Sequence, residues 1–302
     1  MKKPLGYNAD DRIDLHVHST ASDGSLTPND ILCLASRLQI RVISLTDHDT
    51  LDGYNQIDAD LASDIQIVTG VEISVDIPST FLISGGCHIL GYGIRLDDPD
   101  LNHALSTLRK TRKDRNPKII ERLNQLGFPL GMTDVCQDIG DAQLGRPHIA
   151  QAMVEKGFVH SIDEAFDRYL GTGKPAYVNK YRLDVETSIR LIRHAGGAPV
   201  LAHPGLLKAD SFEQIAALIH RFCQFGLAGL EVFYPEHTPE DMDRFTTLAH
   251  QTGLIMTGGT DFHGRLKPTI QLGLGEGDFF VPYTLYENLL SVIQKPHNNP
   301  IV

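Results

Sequence analysis

Nine side chains able to bind a divalent cation recur where apolar runs of this sequence begin or end. His16 and His18 close RIDLHVH, and Asp23 follows in the next loop. His48 closes VISLTDH between Asp47 and Asp49, and Glu72 sits late in IQIVTGVEISV. His88 opens CHILGYGI, His203 ends APVLAHP, and Asp261 and His263 end LIMTGGTDFHG. Residues two apart on a strand share a face, so His16/His18 and Asp261/His263 each read as a pair. Crowded carboxylates repel one another and buried imidazoles need partners. Bound divalent cations resolve both problems. Singly, each motif has a plainer reading: HxH is short, TDHD fits a capped turn, and GTDFHG fits a Gly-bounded loop. Their joint placement at strand ends points to a cluster of two or three metal ions.

The elements that must position these residues alternate. RIDLHVH (12–18) reads as a strand, and Thr27-Pro28-Asn29-Asp30 as a helix start with Thr27 as N-cap. VISLTDH (42–48) reads as a buried strand, followed by a polar helix from about Asp52. Residues 65–75 and 87–94 read as strands. After residue 180 the pattern returns, with helices at 184–195, 211–224 and from Thr238, and strands at 198–204, 229–235 and 254–264. About seven strands with crossover helices predict an α/β fold with parallel strands, best drawn as an irregular (β/α) barrel. An open α/β sheet is the other possibility. Active sites of such barrels lie at one mouth, where strand ends meet.

Residues 101–178 interrupt the alternation with a long basic helical stretch and further helix at 147–157 and 161–170. The division expected is therefore a barrel of 1–100 and 179–302 with a helical insertion at 101–178. The chain has 302 residues and a net charge of −11, which argues against a generic nucleic-acid binder. The charge is unevenly spread: residues 101–180 hold 12 Lys and Arg against 9 Asp and Glu. No apolar run approaches the roughly 18 residues that span a bilayer. Met1 to His16 has no apolar signal-peptide core, so no leader and a cytoplasmic location are expected. Cys33, Cys87, Cys136 and Cys223 are scattered and read as reduced thiols. No obligatory protein partner is evident.

DLHVHSTASDGSLTP, SLTDHDTLDG, GVEIS, HILGYGI, LAHPG and GTDFHG resemble the PHP (polymerase and histidinol phosphatase) family of metallo-phosphoesterases. GRPHIAQAMVEKGFV and EAFDRYLGTGKPAYV resemble its branch of nucleoside bisphosphate phosphatases and exoribonucleases. The resemblance implies a distorted seven-stranded barrel. It implies removal of the 3′-phosphate from nucleotides such as pAp and 5′→3′ trimming of short RNA. It also implies a division of ligands: His16, His18, Glu72 and Asp261 for one metal; Asp23, His48 and His263 for a second; Glu72, His88 and His203 for a third. Mn²⁺ is favoured on resemblance, with Fe²⁺ or Zn²⁺ also fitting a mixed His and carboxylate set. Two ions about 3.5–4 Å apart can lower the proton affinity of a shared water toward neutral pH. Asp261 and Glu72 then stand nearest the chemistry, with no Ser, Cys or His nucleophile required. The leaving 3′-oxygen needs a proton, for which His237 is one candidate and water at the metals the other.

Substrate contacts are expected from the insertion. Arg146 and His148 of GRPH are the first candidates for phosphate, because a guanidinium can grip it with two parallel hydrogen bonds. The plainer reading is a helix start, with Pro147 in the first turn. Arg112, Arg115 and Lys174 are further candidates, although RKTRKDR also fits a solvated helix face. Tyr234 and Tyr177 are candidates to stack on a base, or core residues. Two rivals stay open: a histidinol-phosphate phosphatase, and a non-catalytic metal-binding regulatory module.

Overall fold

The computed structural model describes residues 11–61, 65–135, 144–179 and 181–293. Its strands form two sheets. The first is parallel and joins β1 (Arg12–Val17), β2 (Ile40–Leu45) and β3 (Gln66–Ile67). The second runs in the order β6 (Leu183–Asp184), β4 (Gly70–Asp76), β5 (Cys87–Tyr92), β7 (Ala198–Leu201), β8 (Gly229–Phe233), β9 (Ile255–Gly258). Helices α1 (Pro28–Arg37), α6 (Val185–His194), α7 (Phe212–Phe225), α8 (Pro239–Thr252) and α9 (Tyr283–Ile293) accompany the sheets. Between β5 and β6 lie α2 (Pro99–Gln125), α3 (Met132–Val135), α4 (Arg146–Glu155) and α5 (Ile162–Ala165).

The mixed α/β class is as expected, but a closed seven-stranded barrel is not what the described residues form. The sheets meet at two seams, each carrying a single parallel bridge, Val17 to Phe262 and His48 to Glu72. Side chains and loop backbone replace the ladder there. The Asp14 carboxylate accepts from Thr260 N–H (2.9 Å), Thr260 Oγ1 (2.6 Å) and Gly273 N–H (2.9 Å). At the second seam Asp49 N–H donates to Glu72 O (2.9 Å) and Glu72 N–H to Asp47 O (3.3 Å). Gly259 lies so close to β1 that a Cβ would stand 2.3 Å from His16 N.

Three further expectations change. β5 is antiparallel to β4 and β7, because the loop 77–86 is too short for the crossover of a dozen or more residues that parallel strands need. The single strand expected at 65–75 is two strands in different sheets, β3 and β4. The polar helix from Asp52 is one short 3₁₀ turn, Asp52–Gln56.

Period-two alternation decides which face is wet. Val71, Ile73 and Val75 of β4 pack under the helices, which turns Glu72 and Ser74 to the interior. Leu230 and Val232 of β8 do the same and turn Glu231 inward. Helix α1 starts as predicted: the Thr27 hydroxyl accepts from Asp30 N–H at 3.1 Å, with Pro28 in the first turn. Helix α2 serves two cores. Leu101, Leu105 and Leu108 join the main core, while beyond Pro117 Ile119, Ile120 and Leu123 join a separate cluster with α4 residues Ile149, Ala150 and Met153. Cys33, Cys87 and Cys223 are free thiols, and Cys136 lies outside the described residues.

Candidate metal centre

All nine candidate ligands converge, though most leave the strands to do so. His16 is on β1 and Glu72 on β4, whereas His18, His48, His203, Asp261 and His263 lie just beyond strand ends. Asp49, His203 and Asp261 have positive φ (56°, 27° and 53°), so the backbone is strained around the cluster. Asp261 and His263 therefore meet through a sharp turn and not through strand periodicity.

Glu72 is the hub. Its Oε2 lies 3.2 Å from His18 Nε2 and 2.8 Å from His48 Nδ1; its Oε1 lies 2.8 Å from His88 Nδ1 and 3.0 Å from His203 Nε2. Asp261 Oδ1 lies 3.1 Å from His18 Nε2 and 3.4 Å from His16 Nε2. Asp23 faces His263 Nε2 at 3.3 Å and His48 Nε2 at 3.7 Å. Three sets bring ligand atoms within 4.8 Å of one another: His18, Asp23, His48, His263; His16, His18, Glu72, Asp261; and His48, Glu72, His88. His203 touches the third set through Glu72 Oε1 and His88 Nδ1 (3.3 Å). Side-chain exposure is 21% at His88 and 15% at His48 but at most 8% elsewhere, so the centre opens on that side.

The residues fit divalent cations. His16 Nε2, His18 Nε2, Asp23 Oδ1, Glu72 Oε2 and His203 Nδ1 are buried without a hydrogen-bond partner. Several rings are held by the opposite nitrogen: His16 Nδ1 by Glu231 Oε1 (2.9 Å), His263 Nδ1 by Asp261 O (2.8 Å). That arrangement fixes the tautomer that offers Nε2 to a metal. The electrostatics agree. Burial opposes charge on His18, yet Asp261 and Glu72 outweigh it and push the ring up to about 10. Burial likewise opposes ionisation of Asp23, Glu72 and Asp261, but facing imidazoles at the first two, and Lys267 followed by facing imidazoles at Asp261, hold all three well below the usual carboxylate range. The cluster is a set of ionised carboxylates whose charge divalent ions can neutralise.

His237 is buried and its ring is fully engaged. Nδ1–H donates to Val232 O (2.9 Å), and Nε2 accepts from Gly205 N–H (3.1 Å). It has no proton for a leaving group, and instead fixes the turn after His203. Tyr234 is buried, with its hydroxyl 3.1 Å from Asp261 Oδ2, so it offers no face to a base. Lys267, which sequence reasoning missed, donates to the same Oδ2 at 2.6 Å. Glu231 was missed as well, although a lone acid between Leu230 and Val232 in an apolar strand is a legible signal.

A group of guanidinium ions borders the centre. Arg112 pairs with Asp49 at 2.5 Å. Arg115 is 5% exposed, its Nε and Nη1 have no partner, and burial with nearby Arg146, Arg112 and Arg182 pushes its pKa down to about 9. Arg146 donates to Leu170 O at 2.9 Å and lies over the Phe166 and Tyr177 rings. His148 Nδ1 accepts from Gly145 N–H at 3.0 Å, which leaves Nε2–H to donate. Lys174 stands apart, exposed in the turn after α5 and the π-helical residues 166–170.

Residues 14–259 match the PHP domain family. The chain belongs to that family. A 5′-3′ exoribonuclease of Haemophilus influenzae is 32% identical over 83% of this chain and 90% of its own. A 3′,5′-nucleoside bisphosphate phosphatase of Chromobacterium violaceum is 33% identical over 83% and 87%. A solved structure from Bifidobacterium adolescentis, assigned as a metal-dependent phosphoesterase, superposes with a TM-score of 0.79 at 27% identity over 93% of this chain and 96% of that one. The PHP family is hydrolytic, and this chain is a PHP-type phosphoesterase. Among the described residues no helix is long and apolar enough to cross a membrane.

Proposed function

We propose that this chain removes the 3′-phosphate from nucleoside 3′,5′-bisphosphates such as pAp, and trims short 5′-phosphorylated RNA from its 5′ end. The observation that carries this reading is Arg115: a buried guanidinium with unpartnered N–H groups beside a candidate metal centre. Burying such a charge is costly unless an anion meets it.

His16, His18, Glu72 and Asp261 would hold one ion, Asp23, His48 and His263 a second, and Glu72, His88 and His203 a third, with Mn²⁺ favoured. When bound, such ions supply an activated water and neutralise charge on the phosphoryl oxygens. The chain's own residues do the rest. Arg115 and Arg146, with His148, grip the 5′-phosphate and so set how far into the centre the 3′-phosphate reaches. Arg112 ties α2 to Asp49, next to His48, and fixes the clamp relative to the centre. Residues 101–178 act as a substrate lid on a seven-stranded barrel that is open at its two seams, and the chain works in the cytoplasm.

A charge-assisted bidentate contact contributes about 1.5–3 kcal/mol, or roughly 10- to 150-fold. The wild type is expected to prefer pAp over 3′-AMP by that factor in kcat/KM. Arg115→Ala and Arg146→Ala should each erase most of the preference and spare slow hydrolysis of an aryl phosphate. Equal discrimination in wild type and variants would put the clamp elsewhere. No discrimination in the wild type would remove the bisphosphate reading, which is favoured over a small amino-alcohol phosphate because the latter leaves Arg115 without an anion.

A further inference from the structure

We propose that Glu231 is a positioning residue that holds ligands of two different metal ions with one carboxylate. This rests on the metal-binding reading above. Glu231 is fully buried on β8. Its Oε1 lies 2.9 Å from His16 Nδ1, and its Oε2 accepts from His203 N–H at 2.8 Å. His16 belongs to the ligand set around Asp261, and His203 to the set around His88. The two imidazoles stack, with ring centroids 5.8 Å apart.

Both contacts do something a neutral side chain cannot. The bond at His16 fixes the proton on Nδ1, so Nε2 keeps a lone pair toward the cluster, where it is buried and unpartnered. The bond at His203 holds a backbone with φ of 27° and ψ of 60°, which an ordinary L-residue leaves if released. The turn is secured from its far side by His237, whose Nε2 accepts from Gly205 N–H. A Cβ at Gly205 would stand 2.6 Å from that ring, so glycine is needed for the contact.

A carboxylate accepts at both oxygens, whereas an amide accepts at one. In Glu231→Gln the NH₂ group must face one of the two donors. Facing His16, it turns the ring to the tautomer with Nε2–H toward the cluster. Facing His203, it pushes that backbone away. Either way one ion is weakened, while the ion held by Asp23, His48 and His263 is untouched. Loss of such an outer partner costs about 10–100-fold in metal affinity.

The test titrates Mn²⁺ into metal-free wild type and Glu231→Gln, following free Mn²⁺ by electron paramagnetic resonance. The expected result is at least one equivalent weakened about 10- to 100-fold and at least one left at its wild-type affinity. Wild-type affinity at every equivalent would overturn the proposal. A wild type that binds no divalent ion would instead sink the metal reading beneath it. Should the variant fail to fold, ¹⁵N shifts of the histidine rings in the Zn²⁺-loaded wild type decide, with His16 assigned by its loss in His16→Gln. Protonated Nδ1 supports the proposal, and protonated Nε2 overturns it.

Discussion

Removing divalent ions with a chelator is expected to reduce hydrolysis of pAp to background, with Mn²⁺ restoring it. Asp23, Glu72 and Asp261 are ionised and nearly buried, faced by imidazoles and, at Asp261, by the Lys267 ammonium and the Tyr234 hydroxyl. As metal ligands these imidazoles and carboxylates have their lone pairs engaged, so the attack is expected from water activated at the centre. The same metals should stabilise the fold, since ions that bind only the native state add about 2.7 kcal/mol at one hundred times Kd. A thermal melt with and without Mn²⁺ reads that second effect independently of turnover. Full activity in protein shown by elemental analysis to be metal-free would sink the reading.

The strand ends were legible because their signal is local. RIDLHV, IRVISL and GLEVF are apolar runs bounded by polar loops, and all three are strands. Thr27-Pro28 and Thr238-Pro239 start helices for reasons contained in four residues. How the strands close on one another was not legible. The seam beside β1 depends on Asp14 reaching Thr260 and Gly273, pairs separated by well over two hundred positions. No period in the sequence announces such a bond. The direction of β5 was readable in principle, from a loop too short to hold a crossover.

The ligand cluster was found from joint placement at strand ends, and the reason it works differs in part from the one first given. Shared strand faces do not bring Asp261 and His263 together; a turn with Asp261 at positive φ does. His237 illustrates the opposite error. A histidine after an apolar strand resembles a proton donor in sequence, but in the fold both ring nitrogens are committed to backbone. Arg115 lies in a charged run that also fits a solvated face, and its burial becomes visible only when α2 is laid across the site.

Asp261→Asn is expected to lower kcat by on the order of 10²-fold or more, with a smaller change in KM. The two oxygens of Asp261 have separate tasks. Oδ2 takes the Lys267 ammonium at 2.6 Å and lies 3.1 Å from the Tyr234 hydroxyl. Oδ1 is thereby turned toward His16 and His18, both within 3.4 Å. An asparagine must satisfy the Lys267 donor with its one oxygen, because an NH₂ group against an ammonium would repel. Its NH₂ then points at the cluster, where a donor cannot ligate a cation. The substitution keeps volume and shape, so the loss should appear in turnover and not in folding. Lys267→Met separates the causes: it leaves both carboxylate oxygens but frees Asp261 to rotate, so its loss should be smaller. The measurement is kcat and KM for pAp at saturating Mn²⁺, with metal content determined on the same samples. Near-normal turnover in Asp261→Asn with its metals in place would show that Asp261 does not serve the reacting centre.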